Sequence, residues 1–207
     1  MIQSLSEMLI ALPAIMIALT FHEYAHGKVA DILGDSTPYY QGRLTLNPLP
    51  HIDWVGFFML ILFHFGWAKP VQVNPYNFKN VSPKQGMMLV SLAGPGMNIL
   101  LAFLGMLAYK YLLPFQGQEW AIMTINMIHP LIYINLILAA FNLIPLPPLD
   151  GSKIVAGLLP DSGAEMFYSL EPYGPLILLL LIITGAAAYI FLPLAGFLNT
   201  LLYAIVF

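Results

Sequence analysis

The sequence predicts an all-α integral membrane protein, a multi-pass helical bundle, and two observations support this fold class. Of the 207 residues, 59% are hydrophobic and only 8% are charged, whereas a soluble domain has about 25% charged residues. Several uncharged apolar stretches approach or exceed the roughly 20 residues that a membrane span needs. A helix satisfies its own backbone hydrogen bonds in lipid, so we expect helices, with re-entrant or short edge-strand segments near the functional site.

The apolar stretches predict where the helices lie. They run from about Leu5 to Ala30, from Gly86 to Tyr109, from Trp120 to Ile144 and, without any charge, from Leu176 to Phe207. The last stretch is too long for one straight span, so we expect Pro193 to kink or split it. No Lys or Arg precedes Lys28, so we expect the first stretch to be retained rather than cleaved as a signal peptide.

A shorter apolar segment, Trp54 to Ala68, predicts the topology. Its 15 uncharged residues are few for a span and favour a re-entrant path. Five of the seven basic residues then lie on one membrane face, whereas a spanning segment would divide them between two faces. These residues are Lys28, Arg43, Lys69, Lys79 and Lys84. The positive-inside rule makes their face cytoplasmic, so we expect a multi-pass protein of the cell membrane with its site opening toward the cytoplasm.

The domain organisation and the excluded classes follow from composition. We expect one membrane domain over residues 1–207, with the motifs within about 8–160 and an apolar tail over about 173–207. The alternating runs 43–47 and 71–74 could form edge strands. A formal net charge of −3 without a Lys/Arg run argues against nucleic acid as a partner. Because there is no cysteine, any metal must be bound by His, Asp or Glu.

The motif His22-Glu23-x-x-His26 is the sharpest chemical signal. Positions i and i+4 share a helix face, so both imidazoles can bind one metal ion while Glu23 lies beside the open position. About 21 Å of helix separates Met8 from His22, which predicts a site beneath the membrane surface, where ionisable groups are usually functional. The alternative, three polar residues on a solvated face, fits poorly with the apolar stretch that precedes them.

Asp150 is the best candidate for a third ligand. It is the only acid between Glu119 and Asp161 and follows three prolines that prevent a continuous helix. Irregular backbone at membrane depth is tolerated inside protein or along a wet cavity. The alternative role is an N-cap for a helix over 151–159.

Other polar residues in the chain have weaker interpretations. His51 and Asp53 are alternative metal ligands, with a structural or gating role as the favoured interpretation. His64 and His129 lie in apolar surroundings, where histidines are more often hydrogen-bonded packing residues than ligands.

Five segments together resemble the site-2 proteases, a family of intramembrane zinc metalloproteases, in its short bacterial branch without an appended soluble domain. They are FHEYAH (21–26), GRLTLNPLPHID (42–53), GWAKPVQVNP (66–75), AGPGMN (93–98) and NLIPLPPLDG (142–151). The similarity covers about residues 8–160. Gly96 departs from the family, in which a larger apolar residue is common.

The resemblance implies a role for each matching residue. His22, His26 and Asp150 would bind one Zn²⁺ ion, and Glu23 would be the general base. Asn142 would help to hold the substrate backbone. Asn98 matches a polar position of the glycine-rich helix and is a second candidate for substrate binding.

The implied function is that of a metalloendopeptidase in the lipid bilayer, hydrolysing peptide bonds in or near transmembrane segments of membrane proteins. Two other classes stay open: a membrane metal transporter that uses the same histidines, and a catalytically silent zinc-binding scaffold. The protease interpretation is favoured because a general base beside the metal has no obvious use in the other two.

Overall fold

The computed structural model describes residues 5–63 and 66–207. The helices in these residues are α1 (Leu5–Ile32), α2 (Thr37–Tyr40), α3 (Trp54–Phe63), α4 (Pro83–Leu112), α5 (Glu119–Asn142), α6 (Asp150–Leu158), α7 (Asp161–Leu170), α8 (Gly174–Ile183) and α9 (Ala186–Val206). Short 3-10 turns occur at Leu49–His51, Pro75–Asn77 and Leu113–Phe115. No strand forms in the described ranges, which confirms the predicted all-α class.

Several helices have the dimensions of membrane spans. In the described parts of the chain, three are long and apolar enough: Pro83–Phe115, Glu119–Asn142 and Ala186–Val206. The pair α7 and α8, bent by 65° at a short break, would add a fourth if it crosses as one span. The 28 residues of α1 give about 42 Å of helix, more than the roughly 30 Å of a bilayer core. The chain is therefore a multi-pass helical membrane protein.

The core lies where α4, α5 and α9 pack together. Ala102 on α4 and both Ala139 and Ala140 on α5 have no exposed surface, and Ala195 on α9 is also buried. Small residues allow helices to approach closely in lipid, where no hydrophobic driving force acts between them. Because α1 also packs against α4 and α5, its histidines come within reach of α4.

The predicted re-entrant segment contains α3, whose ten residues give about 15 Å of helix, too short to cross the bilayer. The two flanks of this segment meet. Ile52 and Ala68 form an isolated antiparallel bridge, and the Lys69 N–H donates to the His51 carbonyl at 2.9 Å. By residue 68, the chain has therefore returned to the end of α3 at which the helix begins.

Neither predicted edge strand forms a strand. Residues 43–47 follow a series of bends, in which the Thr45 hydroxyl accepts a hydrogen bond from the Asn47 N–H at 3.1 Å. Residues 71–74 are irregular and have no ladder partner in the described residues. The alternating pattern predicts a strand here, but a ladder needs a neighbouring strand, and the nearby helices do not offer one.

A buried carboxylate, Asp35, anchors the segment 71–74 to the end of α1. Its Oδ2 accepts from the Asn74 N–H at 2.7 Å, and its Oδ1 accepts from the Asn77 side chain at 2.8 Å and from the Thr37 hydroxyl at 2.6 Å. Burial opposes ionisation, but these hydrogen bonds outweigh it and hold the pKa of Asp35 below its ordinary value. The segment beside the candidate site is therefore fixed at this end.

The apolar tail divides at Gly185 rather than at Pro193, so the predicted position of the break is wrong. Gly185 has φ of 75°, in the left-handed region that favours glycine and ends helices. The helix α8 ends two residues before it and α9 begins directly after it. Pro193 lies inside α9, where a bilayer-embedded helix tolerates proline.

The two histidines predicted to be hydrogen-bonded packing residues have different outcomes. His129 is exposed, its ring packs edge-on against Tyr109 with centroids 4.9 Å apart, and it makes no hydrogen bond within the described residues. The hydrogen-bonded interpretation is therefore wrong for His129. His64 lies outside the described residues.

Candidate metal centre

Three of the predicted site residues lie close together on α1. His22 and His26 are one helical turn apart, so their rings share a face, and their Nε2 atoms are 3.0 Å from each other. Both are buried. Glu23 directly follows His22, is half-buried and lines the adjoining cleft. One turn of helix therefore presents two imidazoles and one carboxylate.

Asp150, which is distant in the sequence, lies beside the two histidines in the fold. It is the first residue of α6, where Leu149 occupies the N-cap position, so the alternative role of Asp150 as an N-cap is not observed. Its Oδ2 lies 3.2 Å from His22 Nε2 and 3.3 Å from His26 Nε2. The prolines that end α5 and delay α6 bring this carboxylate to the two imidazoles.

Asn98, fully buried on α4, determines which nitrogen of His22 is protonated. Its amide nitrogen donates to the Ala18 carbonyl at 3.1 Å and to Asn135 Oδ1 at 2.7 Å. Its Oδ1 therefore faces His22, whose Nδ1 lies 2.6 Å away and must donate. The Nε2 atom of His22 is left with a lone pair.

The backbone of α4 does the same for His26. The Val90 carbonyl oxygen, which can only accept, lies 2.7 Å from His26 Nδ1, so that nitrogen carries the hydrogen. Both Nε2 atoms therefore present lone pairs to each other and to Asp150. A partner on the outer nitrogen that fixes the tautomer is the usual arrangement for metal-binding histidines.

The three converging atoms fit a zinc ion. Two imidazole nitrogens and one carboxylate oxygen form a triangle with sides of 3.0–3.3 Å, and zinc ligands at about 2.0–2.1 Å in a tetrahedron lie about 3.3 Å apart. Asp150 Oδ2 is buried and accepts no hydrogen bond within the described residues. Among those residues, this is also the one His/Asp/Glu group close enough to share an ion.

Gly94 allows α4 to pack directly against the two imidazoles. A Cβ at this position would lie 2.5 Å from His26 Cε1 and 2.6 Å from His22 Cε1, well inside van der Waals contact. By contrast, a Cβ on Gly96, two residues later, would meet nothing within 4 Å. The glycine-rich motif of α4 therefore has one position that the site requires and one that it does not.

Glu23 is held by a segment outside the helices. Its Oε2 accepts from the Val71 N–H at 2.9 Å and lies 3.9 Å from Arg43 Nη2. The Arg43 guanidinium also donates to the carbonyls of Lys69 and Pro70. A buried arginine thus joins the chain around residue 70 to the carboxylate beside the imidazoles.

A cleft of about 510 Å³ opens beside the two imidazoles and Asp150, and several of the residues predicted to form the site line it. Asn142 lines it, with its amide nitrogen donating to the Leu138 carbonyl at 3.0 Å. Asn98, predicted as a second substrate-binding residue, does not line the cleft, because it has no exposed surface and its amide contacts His22. We therefore assign Asn98 to the orientation of His22 rather than to substrate.

The alternative ligands His51 and Asp53 have other partners. His51 Nε2 donates to the Thr45 carbonyl at 2.8 Å. Asp53 Oδ1 accepts from the N–H groups of Val55 and Gly56, at 2.9 and 3.0 Å, and caps α3. Neither residue joins the metal-binding group in the described residues. Their side chains stabilise the re-entrant segment.

Two contributors to the site are missing from the sequence-based candidates. Arg43 stands in the GRLTLNP segment, and a lone basic residue in an otherwise uncharged loop is a signal that could have identified it. Val90 contributes its backbone carbonyl, and because every residue has one, the residue type does not indicate this role.

Comparisons with known proteins identify the family. The sequence profile of peptidase family M50 matches residues 107–182. The chain is 37% identical over 183 residues to the Bacillus subtilis protein named "Putative zinc metalloprotease YwhC", covering 87% of this chain and 83% of that protein. It is 29% identical over 155 residues to "Putative zinc metalloprotease MJ0611" of Methanocaldococcus jannaschii, covering 73% of this chain and 72% of that protein.

A third relative, "Putative zinc metalloprotease Rip2" of Mycobacterium tuberculosis, is 31% identical over 176 residues, covering 81% of this chain and 63% of that protein. The search of solved structures found no match. The extent and identity of the bacterial match establish the family. The chain belongs to peptidase family M50, the site-2 protease family.

Proposed function

We propose that this protein is a zinc-dependent intramembrane endopeptidase that hydrolyses peptide bonds in or near transmembrane segments of membrane proteins. His22, His26 and Asp150 bind one Zn²⁺ ion, and Glu23 is the general base. The observation that most strongly supports this function is the buried triangle of lone pairs beside a carboxylate on the same helical turn. The printed names of the three relatives as zinc metalloproteases also support it.

The depth of the site favours substrates within the membrane. His22 lies ten residues before the end of α1, or about 15 Å along the helix, while a bilayer core is about 30 Å thick. A transmembrane helix hides its carbonyls in i to i−4 hydrogen bonds. Its peptide bonds become accessible only where it unwinds, and the cleft beside α1 can admit such a segment.

The chemistry divides between the metal and the chain. Zinc, when bound, supplies water activation and polarisation of the scissile carbonyl. Glu23 accepts the proton of the attacking water and delivers it to the leaving amine. Arg43 and the Val71 N–H keep the Glu23 carboxylate in place. Asn142, with its amide oxygen facing no partner in the described residues, holds the substrate backbone in the cleft.

The proposal extends to the domain and its orientation. Residues 1–207 form one membrane domain, since α1, α5, α6 and α9 all pack against α4. The protein resides in the cell membrane, and the site opens toward the cytoplasm because the basic residues cluster on that face.

The substitution Glu23→Gln tests the function. It removes the base but keeps the size of the side chain, so we expect zinc content to remain and cleavage of a single-span substrate to be abolished. Glu165→Gln, at an exposed position on α7, is the matched control and should cleave normally. Unchanged turnover in Glu23→Gln would reject the mechanism.

The same variants separate the other two classes. A metal transporter would show metal flux that depends on His22 and His26 and tolerates Glu23→Gln. A scaffold would lose folding without metal and would show no hydrolysis even as the wild-type protein.

A further inference from the structure

Lys153 lies in the candidate cleft and has no anionic partner among the residues that the structure describes. Its side chain is half-buried and lines the cleft together with Glu23, Asn142 and Asp150. Within the described residues it makes no ion pair or hydrogen bond. Of the other six basic residues, three have an acidic side chain as partner: Lys28, Arg43 and Lys84. The Lys110 ammonium donates to the Val206 carbonyl, and Lys69 and Lys79 are exposed.

The two acids of the cleft are not available to Lys153. Glu23 is engaged by Arg43 and by the Val71 N–H, and Asp150 turns its Oδ2 toward the imidazoles. With a divalent cation bound, the formal charges of the cleft sum to a positive value. Ionisable groups within a membrane protein usually pair with one another or act on a ligand, and the described residues offer Lys153 no partner, which points to a ligand.

The position of Lys153 limits where that partner lies. It follows Asp150 by three residues on α6, so the two side chains lie on the same helix face, about 5–6 Å apart at Cβ. A lysine side chain reaches about 6 Å beyond its Cα, and an extended peptide advances about 3.3 Å per residue. The ammonium can therefore reach a substrate side chain within about three residues of the bond held at the metal.

We infer that Lys153 is a specificity-determining residue that binds a carboxylate of the substrate, an Asp or Glu side chain within about three residues of the scissile bond. This inference rests on the proposed protease function. It gives the enzyme a preference for substrates with an acid at one position near the cut. A basic residue at that position would face the Lys153 ammonium and would be disfavoured.

The test measures kcat/KM on a panel of single-span peptides in detergent. Glu, Gln or Lys is placed singly at each of the three positions on either side of the cut. For the wild-type protein we expect Glu to exceed Gln by roughly tenfold at one position, the gain typical of a charge-assisted hydrogen bond, with Lys poorer still. Lys153→Gln should remove this preference, and Lys153→Glu should invert it in favour of Lys. Lys79→Glu makes the same charge change at an exposed position and should leave the preference intact.

The outcomes of this test distinguish failure of the protease function from failure of the inference about Lys153. A wild-type protein that cleaves no peptide would overturn the protease function and this inference with it. Cleavage without a charge preference would overturn the inference alone. An equal loss of activity on all peptides in Lys153→Gln would also overturn it, and would assign the ammonium to a lipid phosphate or to the reacting carbonyl. Zinc content and thermal stability of each variant are measured in parallel; should Lys153→Glu fail to fold, Lys153→Gln alone decides.

Discussion

In each imidazole of the candidate site, the Nδ1 atom is already hydrogen-bonded within the protein, so only Nε2 is available to a metal ion. The Nδ1 atoms of His22 and His26 donate to Asn98 and to the Val90 carbonyl, so both Nε2 lone pairs face Asp150. A tautomer fixed in this way avoids the cost of reorganising the ring when the ion binds. We therefore infer that Asn98 supports the candidate metal centre without lining the cleft.

The substitution Asn98→Ala should weaken zinc binding by roughly 10- to 100-fold, the range typical of lost partners of metal-binding histidines. The measurement is a competition titration with a chelator of known zinc affinity. Asn126→Ala, an exposed asparagine on α5, is the control and should bind zinc as the wild-type protein does. Unchanged affinity in Asn98→Ala would contradict the positioning role.

Residue type predicts the ligands better than it predicts their supports. His22 and His26 have a spacing with direct geometric meaning, and Asp150 stands out because acids are rare in this chain. The role of Asn98 depends on a contact across 76 positions, and Val90 acts through its backbone. Such contacts arise only when α1 and α4 pack, so the sequence does not reveal them.

At the scale of elements, the close approach of α1 and α4 determines the site. Gly94 lies against both imidazoles, and any side chain there would displace them. Gly96, on the same helix, borders open space. The motif AGPGMN therefore has room for a side chain at Gly96 but not at Gly94.

We expect Gly94→Ala to lose zinc and activity, because its Cβ would overlap the histidine rings. Gly96→Ala should keep both and raise stability slightly, by at most about 1 kcal/mol, since alanine favours helix. Metal content and thermal unfolding in detergent provide the comparison. Full zinc occupancy in Gly94→Ala would show that the two helices do not require this close contact.

The sequence predicts the boundaries of the long helices better than it predicts the break in the apolar tail or the conformation of the alternating runs. Apolar stretches between charges identify α4 and α5 because a span must exclude charge. The sequence favours Pro193 over Gly185 as the break because proline interrupts helices in water, whereas helices in lipid tolerate it. The alternation in residues 71–74 predicts a strand, but the segment is fixed instead by hydrogen bonds from the Asn74 N–H to Asp35 and from the Val71 N–H to Glu23.

At the scale of the whole molecule, the re-entrant path of α3 leads us to expect five basic residues on one side of the membrane. The flanks of the re-entrant segment meet at Ile52 and Ala68, so we expect no membrane crossing between α1 and α4. Positive charge favours the cytoplasmic face. The α4–α5 connection, at the far end of α4, then lies on the opposite face.

Single cysteines test this topology cleanly because the chain has none of its own. Tyr76→Cys and Gln116→Cys place one thiol at exposed positions on either side of α4. A membrane-impermeant maleimide should label Gln116→Cys in right-side-out vesicles and Tyr76→Cys in inverted vesicles. The reverse pattern would contradict the orientation, and labelling of both from one side would contradict the span of α4.

The most direct test of the account measures the zinc content of purified wild-type protein, Asp150→Ala and Asp161→Ala. Asp161 pairs with Lys84 on the surface and provides a matched control for the loss of one carboxylate. We expect about one zinc ion per chain in the wild-type protein and in Asp161→Ala, and at least a tenfold lower affinity in Asp150→Ala, which loses one of three ligands. Stoichiometric zinc at unchanged affinity in Asp150→Ala would contradict the central claim.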